Sequence, residues 1–220
     1  MNDNELQGMS RILRHRLRGI AAGIRGALEL IEEEAGRQLP PGLLEYFPLM
    51  IRECDALQDI TTRLSLIFDP PPPAEPVSAE VIQLRAIGAV GSRFPTAQIR
   101  PHGTCEARVS GWMEAALVEL IANACEATPN GTVQIRLRRE GKMVRWTVSD
   151  YGPGVDRTRG DPFAPFVTTR PRHLGLGLPM ARRLAGLAGG CCEESTTGPA
   201  DAAWAVDLAC PVLDLDDSAR

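Results

Sequence analysis

The chain has 220 residues, 44% of them hydrophobic, and a formal net charge of −4. That balance supports a packed core in one medium domain plus a smaller element, and it disfavours non-specific nucleic-acid binding. No apolar run reaches eighteen residues and no secretory pattern follows Met1, so no direct membrane insertion and a cytoplasmic location are expected.

The first segment, 4–34, reads as one long helix. Leu6, Met9, Leu13, Leu17, Ile20, Ile24, Leu28 and Ile31 recur at intervals of three and four. Within it, Arg11, Arg14, Arg16, Arg18 and Arg25 stand without a neighbouring acid. Pro40-Pro41-Gly42 stops the helix. A second helix is expected over 43–67, with the stripe Leu43, Phe47, Met50, Cys54, Leu57, Ile60, Leu64 and Ile67. Two long helices with a short connection make an antiparallel hairpin that cannot cover its own apolar seam. A second copy would complete a homodimeric four-helix bundle.

Asp69-Pro-Pro-Pro-Pro-Ala-Glu-Pro76 is a semi-rigid spacer, because successive prolines favour extended backbone. Beyond it helix and strand patterns mix. Helices are expected at 78–92, 111–127 and 178–188. Strands are expected near 97–100 and 105–109, at 132–139 and 143–149 joined through Glu140-Gly141, and at 191–196 and 202–210. The fold class expected is α+β, with helices on one face of a mixed, mostly antiparallel sheet. The division is 1–68 helical hairpin, 69–76 linker, 77–212 catalytic domain and 213–220 acidic tail. The six cysteines, Cys54, Cys105, Cys125, Cys191, Cys192 and Cys210, form no Cys-x-x-Cys pair and read as reduced, mostly buried thiols.

Three short motifs carry the chemistry. In Glu119-Leu-Ile-Ala-Asn123, the Glu and Asn are four apart and share a helix face. An Asn in an apolar helix is costly without a partner, and a Mg2+ ion on its amide oxygen would supply one. In Asp150-Tyr-Gly152-Pro-Gly154, a carboxylate at a strand end can accept a bond from an exocyclic amine such as adenine's, and the glycines let backbone approach a ligand. In Gly175-Leu-Gly177-Leu178-Pro179, a helix N-terminus offers N–H groups to phosphate. Between the second and third motifs, Phe163 and Phe166 anchor a loop from which Thr168, Thr169 and Arg170 reach the terminal phosphate. Each motif alone has an ordinary reading, as an amphipathic helix, a capped turn or a strand-to-helix bend. Their order and spacing argue against coincidence. No Walker-type loop occurs.

These motifs resemble the N, G1, F and G2 boxes of the Bergerat-fold ATPases, the superfamily of gyrase, mismatch-repair, heat-shock chaperone and histidine kinase proteins. The best match is the catalytic domain of bacterial sensor histidine kinases, over about 77–212. The resemblance implies ATP and Mg2+ as cofactors, Asn123 as the Mg2+ holder, Asp150 as the adenine reader and Glu119 as a polar residue at the nucleotide. Arg170 stands where short-lid members carry Lys. His173 and Leu174 replace the usual Gly and Thr.

His15 falls about 200° around its helix from Leu13 and is expected in solvent. A lone exposed His is ordinarily surface. The order of hairpin, spacer and Bergerat-like domain instead implies the phospho-acceptor of a histidine kinase, a homodimer that passes phosphate from His15 to an Asp of a response-regulator receiver domain. Arg11, Arg14 and Arg18 are expected to steer that acidic partner. Arg16 stands where many members have Glu or Asp. That departure, with the altered lid, keeps open a histidine phosphotransfer relay with a vestigial nucleotide domain. An ATP-driven machine of the gyrase or chaperone kind is disfavoured by the small size and the His-bearing hairpin. A serine kinase of the anti-sigma kind should not need the hairpin. No sensory segment precedes residue 4 in this sequence, so input is expected from a separate sensor protein, unless the sequence is a piece of a longer chain.

Overall fold

The computed structural model describes residues 3–35, 38–69, 74–170, 173–196, 198–199 and 201–213. The side chains of Leu6 and Met9, the spacer prolines 70–73 and the tail 214–220 lie outside the described part. The chain divides into two compact units, Met1–Pro71 and Pro72–Arg220.

The first unit is a helical hairpin. Helix α1 spans Asp3–Ala35, α2 is a single turn at Pro41–Leu44, and α3 spans Phe47–Phe68. The second helix expected over 43–67 is therefore broken at Glu45 and Tyr46. Pro48 explains the break: it has no N–H for the preceding turn, and it sits comfortably only in the first turn of a new helix.

Helices α1 and α3 pack along their lengths through a seam of near-heptad spacing. From α1 it takes Arg14, Ala21 and Leu28, and from α3 it takes Phe47, Cys54 and Thr61. Much of the expected α1 stripe is not in this seam. Leu13, Ile20, Ile24 and Ile31 remain exposed, as do Leu43 and Met50 of the second stripe. A helix packed against one partner buries a narrow strip, and the rest of a broad apolar face stays open.

The arginines of α1 serve the hairpin. Arg14 is 5% exposed, bonds the Asp69 carboxylate at 2.6 Å and lies 5.8 Å from the Phe68 ring centroid. Arg18 makes long contacts of 3.4–3.5 Å with Ser65 Oγ and the Thr61 carbonyl, and Arg25 bonds Asp55. Arg25 also bonds Glu29 on α1 itself, at 2.9 Å, so the acids that balance this basic run lie on both helices and at the end of α3.

In the second unit, β1 (Pro76–Ser78) pairs antiparallel with β3 (Arg108–Ser110). The main sheet contains β2 (Gln98–His102), β4 (Thr132–Glu140), β5 (Met143–Asp150), β6 (Cys191–Glu194) and β7 (Trp204–Pro211), in the order β2-β4-β5-β7-β6. Only the β2–β4 pair is parallel. The hairpin turn between β4 and β5 falls at Gly141, as expected, with φ +63°. Strand β1 was not expected, and β3 lies three residues later than the expected start. Residues 105–107 instead meet the start of the earlier helix that begins at Ala79, with Glu80 accepting from the Cys105 N–H and Ala107 from the Ala79 N–H.

Helices α4 (Ala79–Gly91), α5 (Trp112–Ala127) and α6 (Gly177–Leu187) form one layer against the sheet. Alternate residues Val133, Ile135 and Leu137 of β4 and Val144, Trp146 and Val148 of β5 are buried, as a strand with one face on a core requires. Helix α5 is rich in Ala, Leu and Glu, all strong helix formers. It buries Met113, Ala116, Leu117, Leu120, Ile121, Ala124 and Cys125 at three-four spacing. All six cysteines are free and five are buried. Burial pushes the Cys125 thiol up to about 11 and the Cys192 and Cys210 thiols up to about 12, so these three are inert packing groups near neutral pH.

The buried Arg14 makes the end of α3 testable. Removing the Asp69 charge takes the ion pair from a guanidinium that is almost fully enclosed. Because Asp69 is itself one-third exposed, the expected cost of Asp69→Asn is about 1–3 kcal/mol rather than more. Urea unfolding of the intact chain, followed by helical circular dichroism, should show the hairpin transition at lower urea. An unchanged transition would remove the structural role of the pair.

Candidate functional site

Helix α5 carries one polar stripe on an otherwise apolar cylinder. Glu119, Asn123 and Glu126 follow at i, i+4 and i+7, so they share a face. Glu119 is buried, at 6% exposure. The start of α6 lies against this stripe. A methyl group on Gly177 would stand 2.8 Å from Glu119 Oε2 and 3.2 Å from Asn123 Nδ2. A side chain there would have to push aside the ends of Glu119 and Asn123. The first helical turn of α6 has no intrahelical acceptors for the Gly177 and Leu178 N–H groups, and Pro179 has no N–H to satisfy.

Beside this contact lies a recess of about 210 Å³. Its walls come from Leu120, Asn123 and Ala124 on α5, Val148 and Asp150 at the end of β5, Leu178 on α6, and Trp204 and Val206 on β7. Asp150 is 4% exposed. One of its oxygens accepts the Gly152 N–H at 2.9 Å, and its backbone carbonyl accepts the Ala203 N–H at 2.9 Å. Burial holds the Asp150 carboxyl above its ordinary range, and the Gly152 N–H and the Arg170 charge offset this only in part.

The loop from 161 to 176 is fixed at both ends. Phe163 is buried against Trp204, with ring centroids 6.4 Å apart, and Arg182 lies 4.1 Å over the Phe163 ring. Phe166 is different: it is 60% exposed and holds φ +68°, so only Phe163 anchors the loop. Gly175, at φ +63°, gives its carbonyl to the Phe166 N–H at 3.2 Å. Thr168 Oγ1 accepts the Arg170 N–H at 3.1 Å. The Arg170 guanidinium bonds the Glu126 carboxylate and, at 3.3 Å, the Asn123 carbonyl. His173 Nδ1 lies 3.4 Å from the same Glu126 oxygen.

Asn123, Asp150 and Leu178 thus meet in one recess, with Glu119, Gly152, Gly177 and Arg170 touching its rim residues. Gly154, at φ +75°, is two residues further along the loop after β5. Thr169 is exposed and is not drawn into this cluster. His15 belongs to the other unit, where it is exposed on α1. Sequence reasoning missed Glu126 and Trp204. A Glu three residues after Asn123 was visible as part of the stripe, whereas a Trp in a strand reads simply as core.

Among the described residues no helix is long and apolar enough to cross a membrane, and no cluster of three His, Cys, Asp or Glu side chains could hold a metal. Residues 109–203 match the family described as histidine kinase-, DNA gyrase B-, and HSP90-like ATPase. The chain is 34% identical over 100 residues to the C4-dicarboxylate transport sensor protein DctB of Rhizobium meliloti (strain 1021), covering 44% of this chain and 16% of that protein. It is 28% identical over 193 residues to the sensory histidine kinase/phosphatase NtrB of Escherichia coli O157:H7, covering 78% of this chain and 53% of that one. The chain therefore spans about half the length of NtrB and a smaller share of DctB. Its fold is similar to the crystal structure of full-length ShkA in complex with AMPPNP, with a TM-score of 0.73 at 21% identity over 92% of this chain and 44% of that one. Residues 109–203 are thus similar to that ATPase family, and most of the chain is similar to a sensor histidine kinase.

Proposed function

We propose that this chain is an ATP-dependent protein-histidine kinase that moves the γ-phosphoryl group of ATP to His15 and then to an Asp of a response-regulator receiver domain. The observation that carries the reading is the recess where Asn123, Asp150 and Leu178 meet beside the glycine-tight start of α6. The residues fit the nucleotide. Asp150 has acceptor capacity left for an exocyclic amine. The Gly177 contact keeps side-chain bulk away from a helix N-terminus, which favours phosphate oxygens. Asn123 would hold Mg2+ through its amide oxygen, with phosphate oxygens completing the shell. Bound Mg-ATP supplies the phosphoryl group and neutralises the charge around it.

Within this reading each residue has one task. Asp150 selects the base. Gly152 and Gly154 shape the turn beneath it. Glu119 stays beside the phosphate end of Asn123 and Gly177. Thr168 and Thr169 line the loop that covers the phosphates, with Gly175 as its hinge. Arg170 spends two of its five N–H donors on Glu126 and Asn123, so it can add an anion without leaving them. The unprotonated ring nitrogen of His15 accepts the phosphoryl group as its bond to the ADP leaving group breaks.

Arg14 cannot steer the receiver, since its guanidinium is enclosed against Asp69 and Phe68. Exposed Arg11 and Arg16 flank His15 instead, with Arg18 partly engaged by Ser65. A second copy of the chain would cover the open apolar face of α1. Ile20→Glu combined with Ile24→Glu should convert a dimer to a monomer in light scattering at tens of micromolar. A monomeric unmodified chain would contradict the assembly.

The central test follows label from ATP. His15→Gln should abolish acid-labile phosphorylation while nucleotide binding persists. Label remaining in that variant would place the acceptor elsewhere, and nucleotide binding without any label would favour the relay.

Asp150 gives an opposed pair of effects. Its folded carboxyl keeps its proton to higher pH than the unfolded one. Acid therefore favours the fold just above the ordinary Asp range, and that advantage is lost as pH rises through the raised value. Asp150→Asn removes the buried charge at neutral pH but keeps an oxygen for the Gly152 N–H. The nucleotide-free variant should be at least as stable as the parent, yet bind ATP roughly 10–100-fold more weakly. A variant that is destabilised while binding ATP normally would reverse both assignments.

A further inference from the structure

Two indole N–H groups of the second unit, those of Trp146 and Trp204, are buried without a hydrogen-bond partner among the described residues. A buried donor left unmade costs free energy, so each needs a reason. Trp146 is fully enclosed in the core between sheet and helices. Trp204 is different, because its ring lines the recess. It stands directly across the β5–β7 ladder from Asp150, and opposite residues of an antiparallel pair put their side chains on the same face. Phe163 packs against the indole at a 53° tilt and is itself held under Arg182. The indole is thus held by packing, on the residue across the ladder from the buried Asp150.

We propose that the Trp204 Nε1–H is a specificity-determining donor of the base site, bonding an unprotonated ring nitrogen next to the amino group that Asp150 accepts. The proposal rests on the nucleotide reading above and extends it to the choice of base. Adenine offers an amino donor with an acceptor nitrogen beside it, which complements a carboxylate paired with an indole N–H. Guanine presents a carbonyl oxygen where adenine has the amino group, so Asp150 would face an acceptor and repel it. One neutral donor and one carboxylate on the same recess wall therefore choose adenine over guanine.

The experiment is a titration of the intact chain and of Trp204→Phe with Mg2+ and four nucleotides: ATP, 1-deaza-ATP, 7-deaza-ATP and GTP. The unmodified chain should bind one deaza analogue about tenfold more weakly than ATP, because that analogue leaves the indole donor unpaired, and it should bind GTP weakest. Trp204→Phe keeps a ring against Phe163 but lacks the N–H. It should bind ATP about tenfold more weakly than the parent and no longer distinguish ATP from that same analogue. If the unmodified chain binds ATP and both deaza analogues equally, the donor role is wrong, whatever the variant does. Discrimination that survives in Trp204→Phe overturns it as well. A parent chain that binds no ATP at millimolar concentration overturns the nucleotide reading itself, and this inference with it.

Discussion

A carboxylate enclosed at the end of a strand sets the terms for the rest of the second unit. Asp150 sits where β5 leaves the sheet, among Val148, Val206, Leu120 and Trp204. Such a group gains nothing for the fold from being there, and burial raises its proton affinity. Around it the chain arranges compensation: an N–H from the following turn, the positive charge of Arg170, and a recess that gives a polar partner access. A buried carboxylate that carries this cost must be held by what surrounds it. The β5–β7 pairing fixes Asp150 opposite Trp204, the Phe163 contact fixes Trp204, and α5 supplies the opposite wall.

Helix α5 links that wall to the phosphate end. Its apolar face fits the sheet, while Glu119, Asn123 and Glu126 form a polar rail along another face. The rail meets α6 at Gly177 and the covering loop at Arg170 and His173. One carboxylate, that of Glu126, therefore touches two basic side chains of the loop, Arg170 and His173. The geometry couples the position of the loop to the same helix that presents Asn123, so the recess, the Asn123 amide and the loop are all referenced to one rigid element.

Much of this was legible in the sequence, and the failures have physical causes. Long apolar periodicity announced α1 and α3, and the Glu140-Gly141 pair announced the β4–β5 turn. The break before α3 was missed because Pro48 lies inside a continuous apolar stripe, where pattern outweighs a single missing N–H. Strand β1 has three residues, too few to show a period. Arg14 was counted as solvent-facing because it is charged, yet it occupies a seam position seven residues before Ala21 and pairs with Asp69 across the hairpin. The glycine motifs mark elements that meet, and Asn123, Asp150 and Leu178 converge on one recess. Thr169 and the exposed, strained Phe166 depart from the arrangement expected of them. Trp204 could not be singled out, because its significance is an unpaired N–H on the residue opposite Asp150, visible only once β5 and β7 are paired.

The account depends above all on the recess being the place where an adenine nucleotide binds. Hydrogen–deuterium exchange on the intact chain, with and without a non-hydrolysable ATP analogue and Mg2+, tests this without relying on catalysis. The account predicts slowed exchange in three separated stretches, 119–127, 150–154 and 175–180, together with the start of β7 at Trp204. Slowed exchange confined to other segments, or no change in these four at saturating nucleotide, would contradict it.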